Sequence, residues 1–288
     1  MFGGKVHIIG SPELINSLQR QGKTVSFWYL EAQFTAELGG LSSDGMKKLV
    51  VNLEPASEKP SLLIDGLKAT QQAISPLGGI DDMIRGPENP YRDSKIEAGF
   101  WDFADDNVTL LLTKFLPCFA ACKAIKGRAI VVEAMSQYFT KGAQKNGSSL
   151  VKARYASLST EMSHDDLARF ECVNGIAIMT NMVPAAFWTI FHIFPDPELL
   201  EEVRKQVLKD APILFSAQQE ALRFRATGTQ PRMIMGDMIL GNNQYLLRKD
   251  SMVIIANRAL HYSKETWGET ADLFRANHFC GKVPGPAF

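Results

Sequence analysis

Glu220 and Arg223 are the residues whose types and spacing most clearly act as a unit in this 288-residue chain. Three positions apart, they share one face of a helix and carry opposite charges. A bare E-x-x-R is weak, because many helices carry one on their wet side, but the residues that follow are more specific. Thr229-Gln-Pro-Arg232-Met comes next, then Ile255-Ala-Asn-Arg-Ala-Leu-His261. Tyr262-Ser-Lys-Glu-Thr-Trp267-Gly268 and Ala271-Asp-Leu-Phe274-Arg-Ala-Asn-His278-Phe279 complete the series. A second polar group lies upstream in Arg169–Pro195, RFECVNGIAIMTNMVPAAFWTIFHIFP, the most apolar stretch of the chain. Pro184 has no N–H, so the carbonyl of Thr180 loses its helical partner and the helix bends there. Thr180 and Asn181 therefore sit beside a freed carbonyl. Buried polar groups need partners: a side chain, a water or a ligand. A packed proline kink with internally satisfied Thr and Asn explains the same residues, and the residues alone leave both readings open.

These groups need elements to hold them. Between Glu171 and Asp196 there is no Asp, Glu, Lys or Arg, which is long enough to span a membrane. Asn174, Thr180, Asn181, Pro184 and His192 inside the stretch argue against lipid, as do its flanks. Ser163 with two acids after it is a helix start, and Pro195-Asp196-Pro197 is a stop followed by a new start. The stretch reads as a central core helix, Asp165 to Phe194, with a polar break. Lys5–Ile9 reads as a strand, and Ser11-Pro12-Glu13 opens a helix. A short helix is expected to end near Leu49, another over Ser61–Ile74, and helical pattern from Asp106 to Leu150 interrupted at Pro117. A Pro-rich loop covers Arg85–Arg92, and Gly142–Ser149 reads as a polar linker. Glu198–Lys209 and Ile213–Phe224 read as helices. Short apolar runs at Arg232–Leu240, Gln244–Leu247 and Met252–Ala256 are separated by turn signals. The fold class is mainly α with a small antiparallel β-sheet late in the chain.

Formal net charge is zero and no long basic run occurs, so nothing supports nucleic-acid binding. Cys118, Cys122, Cys172 and Cys280 do not make a disulfide framework and read as buried free thiols. Lys123, Lys126 and Arg128 read as a solvated basic face. The start of the chain has no signal-peptide pattern. There is no Walker loop, Rossmann fingerprint, nucleophile elbow or zinc-spaced cluster.

The ordered series from Glu220 to Phe279 closely resembles the cytochrome P-450 superfamily of haem-thiolate monooxygenases. The similarity runs from about Lys5 to Phe288. Asn181-Met-Val-Pro184-Ala-Ala-Phe-Trp188 looks most like prostacyclin synthases and sterol 7α-hydroxylases, with fungal secondary-metabolism members sharing the general look. The resemblance implies one partial P-450 domain over 1–288, with a haem b cofactor in the full-length form. It implies that the Asp165–Phe194 helix crosses the distal side of the haem, with Ala177, Thr180 and Asn181 facing it. Glu220, Arg223 and His278 would form the structural triad that locks the fold on the proximal side, His278 standing where Arg is usual. Arg232 and His261 match positions that commonly bind the haem propionates.

Two departures accompany the resemblance. The family pattern at the kink carries an acid and a Thr that deliver protons for oxygen activation. Here Thr180 stands where the acid belongs and Asn181 where the Thr belongs, and an amide is a poor proton donor. The axial cysteine of the family lies in a Gly-rich loop expected after Phe288, so the chain is expected to be an incomplete P-450 fold, without that haem-ligand loop and the helix after it. Cys280 lacks the glycine-rich approach and reads as a bystander, leaving no metal ligand within the chain. Three functions follow from the resemblance. The first is oxidation of an apolar small molecule such as a sterol, fatty acid, polyketide or other secondary metabolite, with a small apolar substrate and an NADPH-dependent reductase as partners. The second is rearrangement of a peroxide, as in prostacyclin synthase, which Asn181 permits. The third is a non-catalytic truncated relative. The family implies the cytosolic face of the endoplasmic reticulum membrane, held by an N-terminal anchor expected before Met1.

Overall fold

The computed structural model describes residues 5–22, 24–53, 86–112, 120–177, 179, 181, 183–206, 211–226, 228–242 and 244–280. The chain divides into two compact units, Trp28–Ile176 and a discontinuous unit made of Met1–Phe27 and Ala177–Phe288. The helix expected over Ser61–Ile74, the break at Pro117, Cys118 and Thr180 lie outside the described residues.

The discontinuous unit contains α1 (Pro12–Gln19), which starts with Pro at its first position after Ser11, as the sequence pattern predicts. Its main sheet is four-stranded, in the order β1 (Val6–Ile9), β6 (Met252–Ile255), β3 (Gln230–Ile234), β2 (Val25–Ser26). The expected late antiparallel pairing is present: Gln230 faces Ile255 and Met233 faces Met252. The early chain enlarges it, because β1 joins β6 in parallel with Val6 opposite Met252. The apolar run expected over Arg232–Leu240 is divided, its second part forming a separate hairpin of β4 (Met238–Leu240) and β5 (Tyr245–Leu247). Ile9, Leu18, Ile234, Leu240, Val253 and Ile255 form the core beneath these strands.

The helices of this unit are α9 (Val183–Ile193), α10 (Pro197–Gln206) and α11 (Pro212–Arg225), followed by the short α12 (Asn257–His261) and α13 (Lys264–Trp267). Ile193, Val203, Ile213 and Ala217 pack together where α9, α10 and α11 meet. Each such side chain contributes about 1–3 kcal/mol on leaving water.

The other unit holds α2 (Trp28–Gly39), α3 (Ser43–Leu53), α4 (Ser94–Asp105), α5 (Asn107–Leu112), α6 (Cys122–Thr140), α7 (Ser149–Leu158) and α8 (His164–Ala177), whose last residue crosses the unit boundary. The Asp93 carboxylate accepts from Lys95 N at 2.8 Å and starts α4. The Ser148 hydroxyl accepts from Val151 N and starts α7. Helices α4 and α6 meet backbone to backbone: a Cβ on Gly127 would lie 2.2 Å from the carbonyl oxygen of Gly99. Phe103, Val131, Met135, Leu158, Leu167 and Cys172 are among the side chains sealed in this core.

Polar staples complete the second unit. Asp166 accepts from Ser42 N at 2.7 Å, Ser42 Oγ at 2.6 Å and Ser163 Oγ at 2.9 Å. These bonds to the ionised form hold the Asp166 carboxyl below its usual range against the opposing effect of burial. Glu171 takes a bidentate pair from Arg154, Nε at 2.7 Å and Nη2 at 3.0 Å, with both side chains buried. Arg128 is not part of a solvated face: its Nη1 donates to Leu38 O at 2.8 Å, at the carbonyl end of α2. The Gly142–Ser149 stretch is not a free linker either, since a short 3-10 turn at Ala143–Asn146 buries Ala143 and Gln144.

The polar break expected in the apolar stretch falls where the described residues leave α geometry: α8 ends at Ala177, Met179 and Asn181 have the wider π-type turn, and α9 begins at Val183 with Pro184 as its second residue. One expectation changes: the stretch is not buried all round. On α9 only Thr189 and Ile193 are buried, while Val183, Phe187, Ile190 and Phe191 are exposed, as is Phe194 just beyond it. The thiols differ likewise: Cys172 is buried, but Cys122 and Cys280 are exposed, Cys122 being the first residue of α6.

Candidate functional site

Helix α11 places Glu220 and Arg223 on its buried face with Ser216 and Ala217, at relative exposures of 0% and 3%. The pair is bidentate: Arg223 Nε donates to Glu220 Oε2 and Nη2 to Oε1, each at 2.8 Å. A buried pair of this kind holds only if the remaining donors and acceptors are also satisfied. Here they are. Arg223 Nη1 donates to Ala271 O at 2.7 Å and also to His261 O, and Nη2 reaches Leu273 O at 3.1 Å. Glu220 Oε1 accepts from Arg275 N at 3.0 Å and from His278 Nδ1 at 3.1 Å. The indole of Trp267 lies under the guanidinium, 4.9 Å from its carbon to the ring centroid. Trp267 Nε1 itself donates to Leu260 O at 3.0 Å.

Four of the residues singled out in the sequence thus come together: Glu220, Arg223, His278 and His261. His261 enters this cluster through its carbonyl, and its ring is packed inside. Burial lowers the pKa of that imidazole, and the positive charge of Arg223 lowers it further. What sequence reasoning missed is the backbone share of the lock. The carbonyls of Ala271 and Leu273 and the N–H of Arg275 carry no side-chain signature, and neither does Ser216, whose Oγ accepts from Phe279 N at 3.0 Å.

Arg232 lies on β3, opposite Val253, and is half-buried. Its Nη1 donates to Pro231 O at 2.9 Å and its Nη2 to Gln230 Oε1 at 3.1 Å. The guanidinium stands 4.9 Å from the ring of Phe27. Among the described residues no carboxylate pairs with it, and burial lowers its pKa. A desolvated guanidinium with donors to spare is suited to a carboxylate ligand. Among the described residues no contact joins it to His261.

At the break, Asn181 turns back on its own chain, its Nδ2 donating to Ala177 O at 3.0 Å. Asn181 is exposed and Ala177 half-buried. The partner expected for the polar break is therefore, for the Asn181 amide N–H, a backbone carbonyl four residues back. Its Oδ1 remains an acceptor. Cys280 is exposed, and no cluster of three or more His, Cys, Asp or Glu able to hold a metal occurs among the described residues.

Comparison with known proteins gives a consistent result. Residues 149–283 match the family model described as Cytochrome P450. The chain is 30% identical, over 96% of its length, to the cytochrome P450 monooxygenase nodJ of Hypoxylon pulicicidum, and covers 65% of that protein. It is 26% identical, over 70% of its length, to a cytochrome P450 monooxygenase of Gibberella zeae, covering 43% of it. It is 24% identical, over 42% of its length, to rat cytochrome P450 7A1, covering 29%. The chain thus spans no more than about two-thirds of the length of these relatives.

Proposed function

This chain belongs to the cytochrome P450 superfamily, and from that premise we propose that the protein it represents is a haem-thiolate monooxygenase acting on an apolar small molecule. Residues 1–288 are read as one partial P-450 domain. The observation that carries the reading is the lock of Glu220 and Arg223 on the chain between His261 and His278, in the order of the family's motifs. Both relatives named as monooxygenases are fungal, which favours a secondary metabolite as substrate.

The residues present fit a haem on one test. Arg232 is a half-buried cation without a carboxylate partner among the described residues, and a propionate would supply one. His261 is assigned the same role on motif position alone. A bound haem would supply the iron chemistry for oxidising the substrate with dioxygen. The work left to this chain is binding and orientation. Arg232 would hold a propionate by charge-assisted hydrogen bonds, and Glu220, Arg223 and His278 fix the backbone from 261 to 278. Thr180 and Asn181 take the proton-handling position, a hydroxyl standing where the acid belongs and an amide where the Thr belongs. One Asn181 N–H is given to Ala177 O, which leaves its second N–H and Oδ1 to serve a ligand. Ala177 lines the same side. An NADPH-dependent reductase is the electron donor in this scheme. No helix among the described residues is long and apolar enough to cross a membrane, and location at the endoplasmic reticulum rests on the family.

A longer protein containing these residues tests the proposal. Reconstituted with a reductase and NADPH, it should consume NADPH in step with oxygen uptake when given an apolar substrate. Substrate turnover with no NADPH consumed would refute monooxygenation and favour the peroxide-isomerase alternative that Asn181 permits. Lack of haem uptake would favour the non-catalytic one.

A further inference from the structure

His192 occupies the last turn of α9 and meets three elements at once. Its ring stacks flat on Phe274, with centroids 3.9 Å apart and planes 8° from parallel. The Phe224 ring of α11 stands edge-on to it at 5.9 Å. Arg225 Nε donates to His192 Nε2 at 3.3 Å. A guanidinium only donates, so Nε2 must carry a lone pair and the imidazole must be neutral. Arg225 is itself held in place, its guanidinium 4.0 Å over the ring of Trp188, one turn before His192 on α9.

Phe274 is not an idle partner. It lies between Leu273, whose carbonyl accepts from Arg223, and Arg275, whose N–H donates to Glu220. The His192 ring therefore ties the end of α9 to the segment that the Glu220–Arg223 lock holds. We propose that this contact is an acid-sensitive joint: a proton on His192 removes the acceptor for Arg225, sets two cations side by side, and releases the end of α9 from α11 and residues 271–276.

Opposing effects exist and lose. Glu220, the other charged group acting on the ring, favours the protonated form, and an imidazolium would attract the Phe274 face. Burial and the Arg225 charge outweigh Glu220 and hold the imidazole pKa below its usual value. Among the described residues of its own helix the ring meets Trp188 and Phe191, neither of them titratable in this range.

Amide hydrogen exchange on the 288-residue chain tests the joint at about pH 7.5 and about pH 5.5, either side of the ordinary imidazole midpoint. After correction for intrinsic rates, residues 190–194 and 271–276 should open more at the lower pH. Each unit of pKa depression couples to about a tenfold change in opening. His192→Gln keeps an acceptor for Arg225 without a titrating ring and should lose that pH dependence, and Arg225→Gln should reduce it. Equal pH dependence in the wild type and His192→Gln overturns the proposal. Titration of the His192 ring protons by NMR gives a second reading that needs no variant at His192. The midpoint should rise in Arg225→Gln, and an unchanged midpoint overturns the proposal as well.

Discussion

Replacing Arg223 by Leu is the perturbation that the geometry judges most severely. Glu220 is fully buried and takes both of its side-chain cationic bonds, at 2.8 Å each, from this one residue. Removing the guanidinium leaves a buried carboxylate whose remaining partners among the described residues are the N–H of Arg275 and the His278 ring. Breaking one side of such a pair costs about 3–5 kcal/mol. The carbonyls of His261, Ala271 and Leu273 lose a donor in the same stroke. His278→Ala is the control, since it withdraws one bond from Glu220 Oε1 and leaves the Arg223 pair intact, for a loss of about 1–3 kcal/mol. For a chain of this size, roughly 2–4 °C of melting temperature accompanies each kcal/mol. Thermal unfolding should therefore fall by about 6–20 °C for Arg223→Leu and by about 2–12 °C for His278→Ala, with the first always the larger. His278→Arg restores a permanent charge and should raise the midpoint. If Arg223→Leu proves no more harmful than His278→Ala, the reasoning that makes the buried pair the centre of the lock is wrong.

Other measurements bear on the remaining contacts. Glu171→Leu strands the Arg154 cation in the core and should cost about 3–5 kcal/mol, whereas the double change Arg154→Met with Glu171→Leu should recover most of it; chemical denaturation reads both. Gly127→Ala forces a methyl onto the Gly99 carbonyl and should lower stability by about 1–3 kcal/mol, where the same change at Gly22, with open space around it, should not. The buried His261 imidazole has its pKa lowered by desolvation and then by Arg223. The unfolded chain therefore binds the proton first as pH falls. Stability from this group is complete above about pH 6.5 and drains away below it, and His261→Gln should flatten the melting-temperature profile between about pH 7.5 and about pH 5.5.

The sequence was most informative where residue types carry their own geometry. Ser11-Pro12 starts α1, Pro184 marks the division of the apolar stretch, and E-x-x-R forms a buried pair. It was least informative where the chain meets itself at long range. Nothing in the composition of Lys5–Ile9 announces a parallel partner at 252–255. The Arg154–Glu171 clamp joins residues 17 apart on two helices, a spacing with no local meaning. The His278 position was legible because the motif order carried it, yet its bond to Glu220 depends on a turn that side-chain patterns do not encode. The error about α9 has a physical cause. A helix apolar on every side implies cover on every side, and among the described residues Val183, Phe187, Ile190 and Phe191 are left in the open.

The discontinuous unit has a consequence for synthesis on the ribosome. Strand β1 pairs with β6, Val6 opposite Met252, and β2 with β3, Val25 opposite Ile234. At roughly 5–20 residues per second, β1 waits about 12–50 s for its partner to be made. During that interval the whole of Trp28–Ile176 has emerged and can close its own contacts, Asp166 on Ser42 among them. The first strand, with Ile8 at 74% exposure even in the folded chain, spends the wait as an unpaired apolar edge. Topology thus sets the order in which these contacts can form: those within Trp28–Ile176 are available before β1 can pair.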